Sequence, residues 1–148
     1  VVTLAYVTMH DSTRLLVDHL TDALAARGIA VERFELTGAD IGELACSLVD
    51  AATVVVGTPT VLTGPHPLAA YAAFLVNALK PKAKHVAVIG SYGWAGKAVE
   101  RLAQLLPNFK GEILDPVMVK GMPRVEDYTT LDALADAVAT RHQGLAPR

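Results

Sequence analysis

With 148 residues, 52% of them hydrophobic, and a formal net charge of −2, the chain has the composition of one globular domain with a sizeable core. The charged residues form no basic stripe, which argues against nucleic-acid binding, and no apolar run reaches the ~20 residues of a membrane span. A single cysteine, Cys46, excludes an internal disulfide and a cysteine-rich metal site; its helix-like surroundings predict a small buried side chain. These features, without a recognisable signal peptide, predict a cytoplasmic protein.

Apolar β-type runs alternate with amphipathic helical runs along the chain. The predicted strands cover residues 1–7, 30–36, 53–57, 84–90 and 112–119. The predicted helices cover residues 13–27, 41–48, 67–79, 95–106 and 130–142. Gly28 is the stop signal of the first helix, and Asp115-Pro116 predicts a broken or bulged last strand at a sheet edge.

Strand–helix alternation of this kind predicts an α/β fold, a doubly wound five-stranded parallel sheet in the flavodoxin-like order 2-1-3-4-5. The alternating pattern of residues 30–36 indicates an edge strand, and the apolar run 53–57 indicates a central one. A dinucleotide-binding Rossmann unit is disfavoured because no Gly-x-Gly-x-x-Gly follows the first strand.

Three loops follow the first, third and fourth predicted strands, and each precedes a helix. The first contains Thr8, Met9, His10, Asp11, Ser12 and Thr13. The second contains Thr58, Pro59, Thr60, Val61, Leu62 and Thr63. The third contains Ser91, Tyr92, Gly93, Trp94, Ala95 and Gly96. In an open parallel sheet such loops meet at the carboxyl edge, where ligands bind, so all three are candidate binding segments.

The first loop suits a phosphate because it is rich in hydroxyls and opens a helix, whose free amides and dipole favour negative charge. The candidate phosphate ligands are Thr8, His10, Ser12 and Thr13. Ser12 or Thr13 fits equally well as a helix N-cap, and His10 fits an exposed loop position as well as a ligand. Asp11 has the character of an exposed turn or capping residue.

The third loop suits a planar ring because it combines glycines with aromatic side chains. Trp94 is predicted to contact the face or edge of such a ring, with packing on the core as the alternative. Tyr92 either shares that contact or packs at the base of the loop. Gly93 and Gly96 allow backbone amides to approach a ligand closely.

Taken together, the loops resemble those of the flavodoxin-like domain of flavodiiron proteins, also called A-type flavoproteins. The resemblance is strongest in the run Gly-Ser-Tyr-Gly-Trp-Ala-Gly-Lys-Ala-Val at 90–99 and extends to Val-Val-Val-Gly-Thr-Pro-Thr at 54–60. Weaker matches lie at residues 8–13, at Lys-Pro-Lys 80–82, and at Val-Lys-Gly 119–121 with Pro123. The resemblance covers essentially the whole chain.

The resemblance implies that the domain binds FMN at the three loops and transfers electrons. It implies as partner a diiron centre in a metallo-β-lactamase-like domain, in the same parent chain or its dimer mate, which reduces oxygen or nitric oxide. An electron donor such as rubredoxin or a reductase is implied as well. Residues 1–148 are then a single flavodoxin-like domain cut from the C-terminal part of a longer flavoprotein, which the missing initiator Met fits.

The chain itself carries no complete active site for substrate turnover that the sequence reveals. The remaining histidines share no metal-ligand spacing, and no serine lies in a nucleophile-elbow sequence. These histidines are His19, His66, His85 and His142. We therefore expect an electron-transfer module with no metal site and no catalytic residues of its own.

Three positions depart from the family pattern. Asp11 stands where the family usually has Gly, and Val61-Leu62 stands where it usually has Tyr-Asn. A carboxylate beside a phosphate is repulsive, and the second change removes an aromatic and a polar contact. These departures favour an alternative, a flavodoxin-like module that has lost flavin and serves binding or dimerisation. A free-standing quinone or NAD(P)H reductase is a third hypothesis, against which the lack of longer insertions speaks.

Overall fold

The structure is a computed structural model that describes residues 2–7, 12–38, 40–61, 64–65, 68, 70–73, 85–92, 112–114, 116–120 and 123–143. The strands in these ranges are β1 (Val2–Tyr6), β2 (Val31–Glu35), β3 (Thr53–Val61), β4 (Gly64–Pro65), β5 (His85–Tyr92), β6 (Glu112–Ile113) and β7 (Val117–Lys120). The helices are α1 (Ser12–Ala26), α2 (Ile41–Asp50) and α3 (Val125–Gln143). Leu68 and residues 70–73 are helical as well.

The sheet has the predicted order. Its main path is β2-β1-β3-β5-β6, with each neighbouring pair parallel. β7 also pairs with β5 in parallel, so β6 and β7 are the two halves of the predicted fifth strand. Pro116 lies between the halves, where its missing N–H and fixed φ interrupt the ladder. The flavodoxin-like order 2-1-3-4-5 and the broken edge strand are therefore confirmed.

Successive residues of the central strands point into two separate hydrophobic layers, because side chains alternate across a sheet. Val2, Leu4 and Tyr6 of β1 belong to the layer that includes α1 and α3. Ala5 and Val7 belong to the opposite layer, which includes α2. Helices therefore cover both faces of the sheet, and this burial explains why β1 and β3 are apolar without alternation.

Gly28 ends α1 as predicted. Its φ is +76°, a left-handed conformation that glycine adopts without a steric penalty. The Ile29 amide donates to the Leu24 carbonyl and the Gly28 amide donates to the Ala25 carbonyl, both at 3.0 Å. These are the two hydrogen bonds of a Schellman motif, and the buried side chains of Leu24 and Ile29 belong to the same core cluster.

The last helix begins earlier than the sequence analysis predicts. We expected a start at Thr130, whereas α3 begins at Val125. The Asp127 carboxylate accepts a hydrogen bond from the Arg124 amide at 2.8 Å, which satisfies a donor at the helix start. Glu126 and Asp127 also place negative charge in the first turn, where it interacts favourably with the helix dipole.

The predicted burial of Cys46 is wrong, since its side chain is exposed. Among the α2 side chains that the structure describes, the buried ones are Leu44, Ser47 and Leu48, which lie on one face at helical spacing. Cys46 lies on the other face, where Val49 is exposed too. Ser47 is buried because its hydroxyl shares a 2.6 Å hydrogen bond with that of Thr3 on β1.

Candidate functional site

The carboxyl ends of β1, β3 and β5 lie side by side. Tyr6 pairs with Gly57, Gly57 pairs with Ile89, and Thr58 pairs with Gly90. The chain leaves β1 toward β2 on one side of the sheet, and leaves β3 toward β5 on the other. In open α/β sheets the crevice at such a reversal of strand order is where ligands bind. The crevice between the carboxyl ends of β1 and β3 is thus the candidate site.

Most of the predicted loop residues lie outside the described part of the chain. These are Thr8, Met9, His10, Asp11, Leu62, Thr63, Gly93, Trp94, Ala95 and Gly96. The remaining candidates are Ser12, Thr13, Thr58, Pro59, Thr60, Val61, Ser91 and Tyr92. The structure brings this second group to the ends of three elements that meet at the crevice, namely α1, β3 and β5.

Two strands extend into segments that we predicted as loop. β3 continues past Gly57 to Val61, and β5 continues past Gly90 to Tyr92. The extensions form because each finds a hydrogen-bonding partner: residues 58–59 pair with β5, residues 60–61 pair with β4, and residues 91–92 pair with β7. Ladder pairing therefore fixes the backbone of both segments at the edge of the crevice.

The amino end of α1 packs directly on β3. At Gly57, an added Cβ would lie 3.5 Å from the Thr13 Cγ2 and 3.3 Å from the Val17 Cγ2. The Thr13 side chain is 1% exposed, so its methyl group lies between helix and sheet. Glycine at position 57 lets the first two turns of α1 approach the strand closely, beside the carboxyl end of β3.

A second glycine forms a close contact at the same edge. A Cβ at Gly90 would lie 1.9 Å from the backbone carbonyl oxygen of Thr58, a distance that excludes any side chain. Thr58 is itself fully buried. The backbones of β3 and β5 therefore approach each other closely at this pair, within the last few residues of both strands.

A cation in the middle of β2 links this edge strand to α1. The Arg33 guanidinium donates to the Asp18 carboxylate at 2.7 Å and to the Tyr6 hydroxyl at 3.4 Å, and lies 5.4 Å from the centre of the Tyr6 ring. Burial lowers the pKa of Arg33, but the hydrogen bonds to Tyr6 and Asp18 outweigh it and the pKa lies above its ordinary value. Arg33 stays charged and holds α1 against the sheet.

The histidines that the structure describes have structural partners far from the crevice. His19 contacts Asp132 at 2.8 Å and joins α1 to α3. His142 contacts the buried Thr53 hydroxyl at 2.8 Å, at the start of β3. His85 begins β5, its Nδ1 3.3 Å from a carboxylate oxygen of Glu112 but without hydrogen-bond geometry. In this part of the chain, no three or more histidine, cysteine, aspartate or glutamate side chains cluster to hold a metal ion.

None of the helices in the described ranges combines the length and the apolar character that a membrane crossing requires. No protein-family model matches this sequence. Individual proteins, however, are similar to it along most of its length.

Curated relatives are similar to this chain over most of its length. A nitric oxide reductase of Moorella thermoacetica is 33% identical over 140 residues, which cover 93% of this chain and 35% of that protein. A rubredoxin-oxygen oxidoreductase of Megalodesulfovibrio gigas is 28% identical over 139 residues. These residues cover 93% of this chain and 35% of that protein. The chain thus spans about 35% of the length of these relatives.

Several solved structures are also similar to this chain. The rubredoxin oxygen:oxidoreductase of Desulfovibrio gigas superposes with a TM-score of 0.90 at 27% identity, over 97% of this chain and 36% of that protein. This chain is a flavodoxin-like domain homologous to those of flavodiiron proteins. A flavodiiron core from Synechocystis has the same fold at a TM-score of 0.86 and 20% identity, over 97% of this chain and 36% of that one. An archaeal flavodoxin has the same fold, with a TM-score of 0.79 and 20% identity. The superposition covers 95% of this chain and 96% of that flavodoxin.

Gly57 is the residue of this site that the sequence analysis missed. It was predicted only as the last residue of an apolar strand, with no role. A signal was present, because a glycine at the carboxyl end of a buried parallel strand marks a close approach of another backbone or helix. The residues that approach it, Thr13 and Val17 of α1, lie 44 and 40 residues away along the chain and are brought to it only by the fold.

Proposed function

We propose that this flavodoxin-like domain binds FMN in the crevice between the carboxyl ends of β1 and β3 and carries electrons. The observation that carries the proposal is the reversal of strand order at that crevice, with the amino end of α1 opening into it. The dipole of a helix favours negative charge at its start, which suits a phosphate group there. We propose FMN rather than FAD because the sequence contains no evident cradle for a second phosphate and an adenine.

The described residues fit this cofactor at its phosphate end and along the adjoining strand edge. Ser12 and Thr13 occupy the first turn of α1, and the absent side chains at Gly57 and Gly90 leave backbone beside the crevice. By the resemblance to flavodiiron proteins, Trp94 and the other residues of the third loop contact the ring. When bound, FMN supplies reversible electron transfer, while the chain positions the ring and controls its exposure to water.

We further propose that the domain belongs, as its C-terminal part, to a longer flavoprotein. Its electrons then pass to a diiron centre in a metallo-β-lactamase-like domain, in the same chain or its dimer mate, and come from a donor such as rubredoxin or a reductase. The names of the relatives support this, since one is a nitric oxide reductase and another a rubredoxin-oxygen oxidoreductase. The 35% coverage of both leaves room for a second domain.

A second candidate function is a flavodoxin-like module that binds no flavin and serves binding or dimerisation. The observation that favours it is the departure from the family pattern at Asp11, Val61 and Leu62. A negative charge in the first loop weakens phosphate binding, and the aliphatic pair removes an aromatic partner for the ring.

Titration of the purified chain with FMN and, separately, with FAD tests the proposal. We expect one FMN to bind per chain and FAD to bind more weakly. Binding is measured by the quenching of flavin fluorescence and by the visible absorption band of the bound ring. The flavin-free module predicts that neither flavin binds. Stoichiometric binding of FAD without binding of FMN would contradict the assignment of the cofactor.

A further inference from the structure

The contact between Gly90 and Thr58 lies one pair before the ladder between β3 and β5 ends. A Cβ at Gly90 would be 1.9 Å from the Thr58 carbonyl oxygen, whereas an ordinary van der Waals contact is 3.4–4 Å. Because a carbon–carbon single bond is about 1.5 Å long, the Gly90 Cα itself lies within about 3.4 Å of that oxygen. This is close enough for a weak Cα–H···O hydrogen bond, in a direction that any other residue would fill with its Cβ.

A side chain at position 90 would divide the carboxyl edge of the sheet between β3 and β5. On one side, β3 is held by β1 up to Gly57. On the other side, β5 is held by β7 along residues 89–92. The ladder between β3 and β5 continues past the contact for one more pair, Pro59 with Ser91, and proline has no N–H to donate there. The two strands would therefore move apart at this point by about 1 Å or more.

This separation would fall between two of the candidate binding segments. The second loop begins at Thr58 on β3, and the third loop begins at Ser91 on β5. Tyr92 and Trp94, the two aromatic residues of the third loop, follow within four positions of Gly90. A planar ring that contacts both loops depends on their spacing, because a gap of about 0.5–1 Å already removes a quarter to a half of the attraction between two surfaces.

We propose that Gly90 is a positioning residue for the flavin ring, because its missing side chain sets the spacing between the second and third loops. The inference rests on the proposed function, since it concerns the flavin in the crevice. Gly90 touches no ligand in this account and acts through the two strands that it holds together. Its substitution should change the affinity for the ring and leave the contribution of the phosphate.

FMN and riboflavin share the ring and differ in the phosphate, so the two ligands together test this assignment. In Gly90→Ala we expect the Kd values of both flavins to rise by the same factor, about threefold to tenfold. The visible absorption band of each bound flavin should also shift, because the surroundings of the ring change. Gly38→Ala is the matched glycine control, since nothing lies within 4 Å of a Cβ there, and its Kd values should equal those of the wild type.

Leu24→Ala separates positioning from loss of stability. Leu24 is fully buried, and its truncation leaves a cavity in the core that lowers the stability of the domain. It lies near the end of α1, about 18 Å along the helix from Ser12. At a temperature where circular dichroism shows each variant to be folded, Leu24→Ala should therefore keep the wild-type Kd and the wild-type absorption band for both flavins.

Amide hydrogen exchange in the flavin-free chain tests the separation of the strands. In Gly90→Ala we expect faster exchange at Thr58 and at residues 90–92 than at residues 54–56 and 86–88, which precede the contact in the same strands. In Leu24→Ala the exchange rates should not single out these strand ends. The wild type provides a measurement that needs no folded variant: both flavins should slow exchange at Thr58 and residues 90–92, riboflavin as much as FMN.

The possible outcomes separate this inference from the proposed function. If the wild type binds neither flavin, the proposed function fails and the inference fails with it. If the wild type binds both, the inference alone is overturned when Gly90→Ala keeps both affinities or loses affinity for FMN only. Protection of the wild-type strand ends by FMN but not by riboflavin would overturn it too, as would strand-end exchange in Gly90→Ala no faster than in Leu24→Ala.

Discussion

Gly90 on β5 and Thr58 on β3 meet through their backbones, with the Thr58 carbonyl oxygen only 1.9 Å from the place where a Cβ of residue 90 would lie. The two residues are partners in the parallel ladder, near the carboxyl ends of both strands. Any side chain at position 90 must therefore separate the two strands at the candidate site.

Gly90→Ala should destabilise the fold by about 2–3 kcal/mol, because the methyl clashes with a backbone atom that has no rotamer to adopt. Chemical denaturation of the variant and the wild type measures this difference. Gly38→Ala, where a Cβ meets nothing within 4 Å, should change stability by no more than about 0.5 kcal/mol. Equal effects of the two substitutions would show that the contact between Gly90 and Thr58 is not tight.

Glu112 and Arg141 form a two-point ion pair at the sheet edge opposite the crevice, with N–O distances of 2.7 and 2.8 Å. The hydrogen bonds from Arg141 hold the pKa of the Glu112 carboxyl below its ordinary value of 4.5. Because the pKa of Glu112 is lower in the folded state, the ion pair stabilises the fold at pH values above the ordinary pKa. This contribution is lost as the pH falls through the pKa of the folded state.

Glu112→Gln should therefore be less stable than the wild type at neutral pH and equally stable at a pH below the folded pKa of Glu112. Thermal unfolding of both proteins across that pH range tests the sign. Arg141→Lys keeps the charge but cannot form both hydrogen bonds, so it should lose part of the same contribution. A stability difference that persists unchanged in acid would contradict the account.

Asp11→Gly should tighten FMN binding, because it removes a carboxylate from the loop that precedes α1. Repulsion between a carboxylate and a nearby phosphate amounts to about 1 kcal/mol, so the affinity should rise by several-fold to about tenfold. The gain should shrink with added salt, and Asp11→Asn should reproduce most of it. Unchanged or weaker affinity would assign Asp11 to capping of α1 instead.

Trp94→Ala should weaken FMN binding by about 1–2 kcal/mol through loss of ring contact and burial. It should also change the spacing between the two one-electron potentials of the bound flavin. The melting temperature of the flavin-free chain should stay nearly unchanged, and Trp94→Phe should retain most of the affinity. A collapse of apo stability with retained affinity would instead identify Trp94 as a core residue.

Local patterns predicted the framework of this fold because local physics decides it. The alternation of apolar and helical runs predicted the strands and their order. Gly28 predicted the end of α1, and Pro116 predicted the break in the last strand. Where the prediction failed, a partner distant in sequence or a side-chain cap decided the outcome. Cross-strand pairing extends β3 and β5 past Gly57 and Gly90, and the Asp127 carboxylate starts α3 five residues early.

The sequence predicted where the candidate site lies, but not the packing that shapes it. Loops after the first, third and fourth strands must meet at one edge of a parallel sheet, so their residue types located the crevice. The packing that shapes it depends on contacts between elements, such as the approach of Thr13 and Val17 to Gly57. The partners of His19, His85 and His142 are likewise long-range contacts without a local signal.

The central claim is that flavin binds in the crevice between the carboxyl ends of β1 and β3. Backbone amide chemical shifts of the isotope-labelled chain, recorded while FMN is added, test this most directly. We expect the largest changes at Ser12–Thr13, at Thr58 and at Ser91–Tyr92, with little change at Thr53, His85 and Glu112 on the opposite edge. Changes concentrated on that opposite edge, or none at saturating FMN, would contradict it.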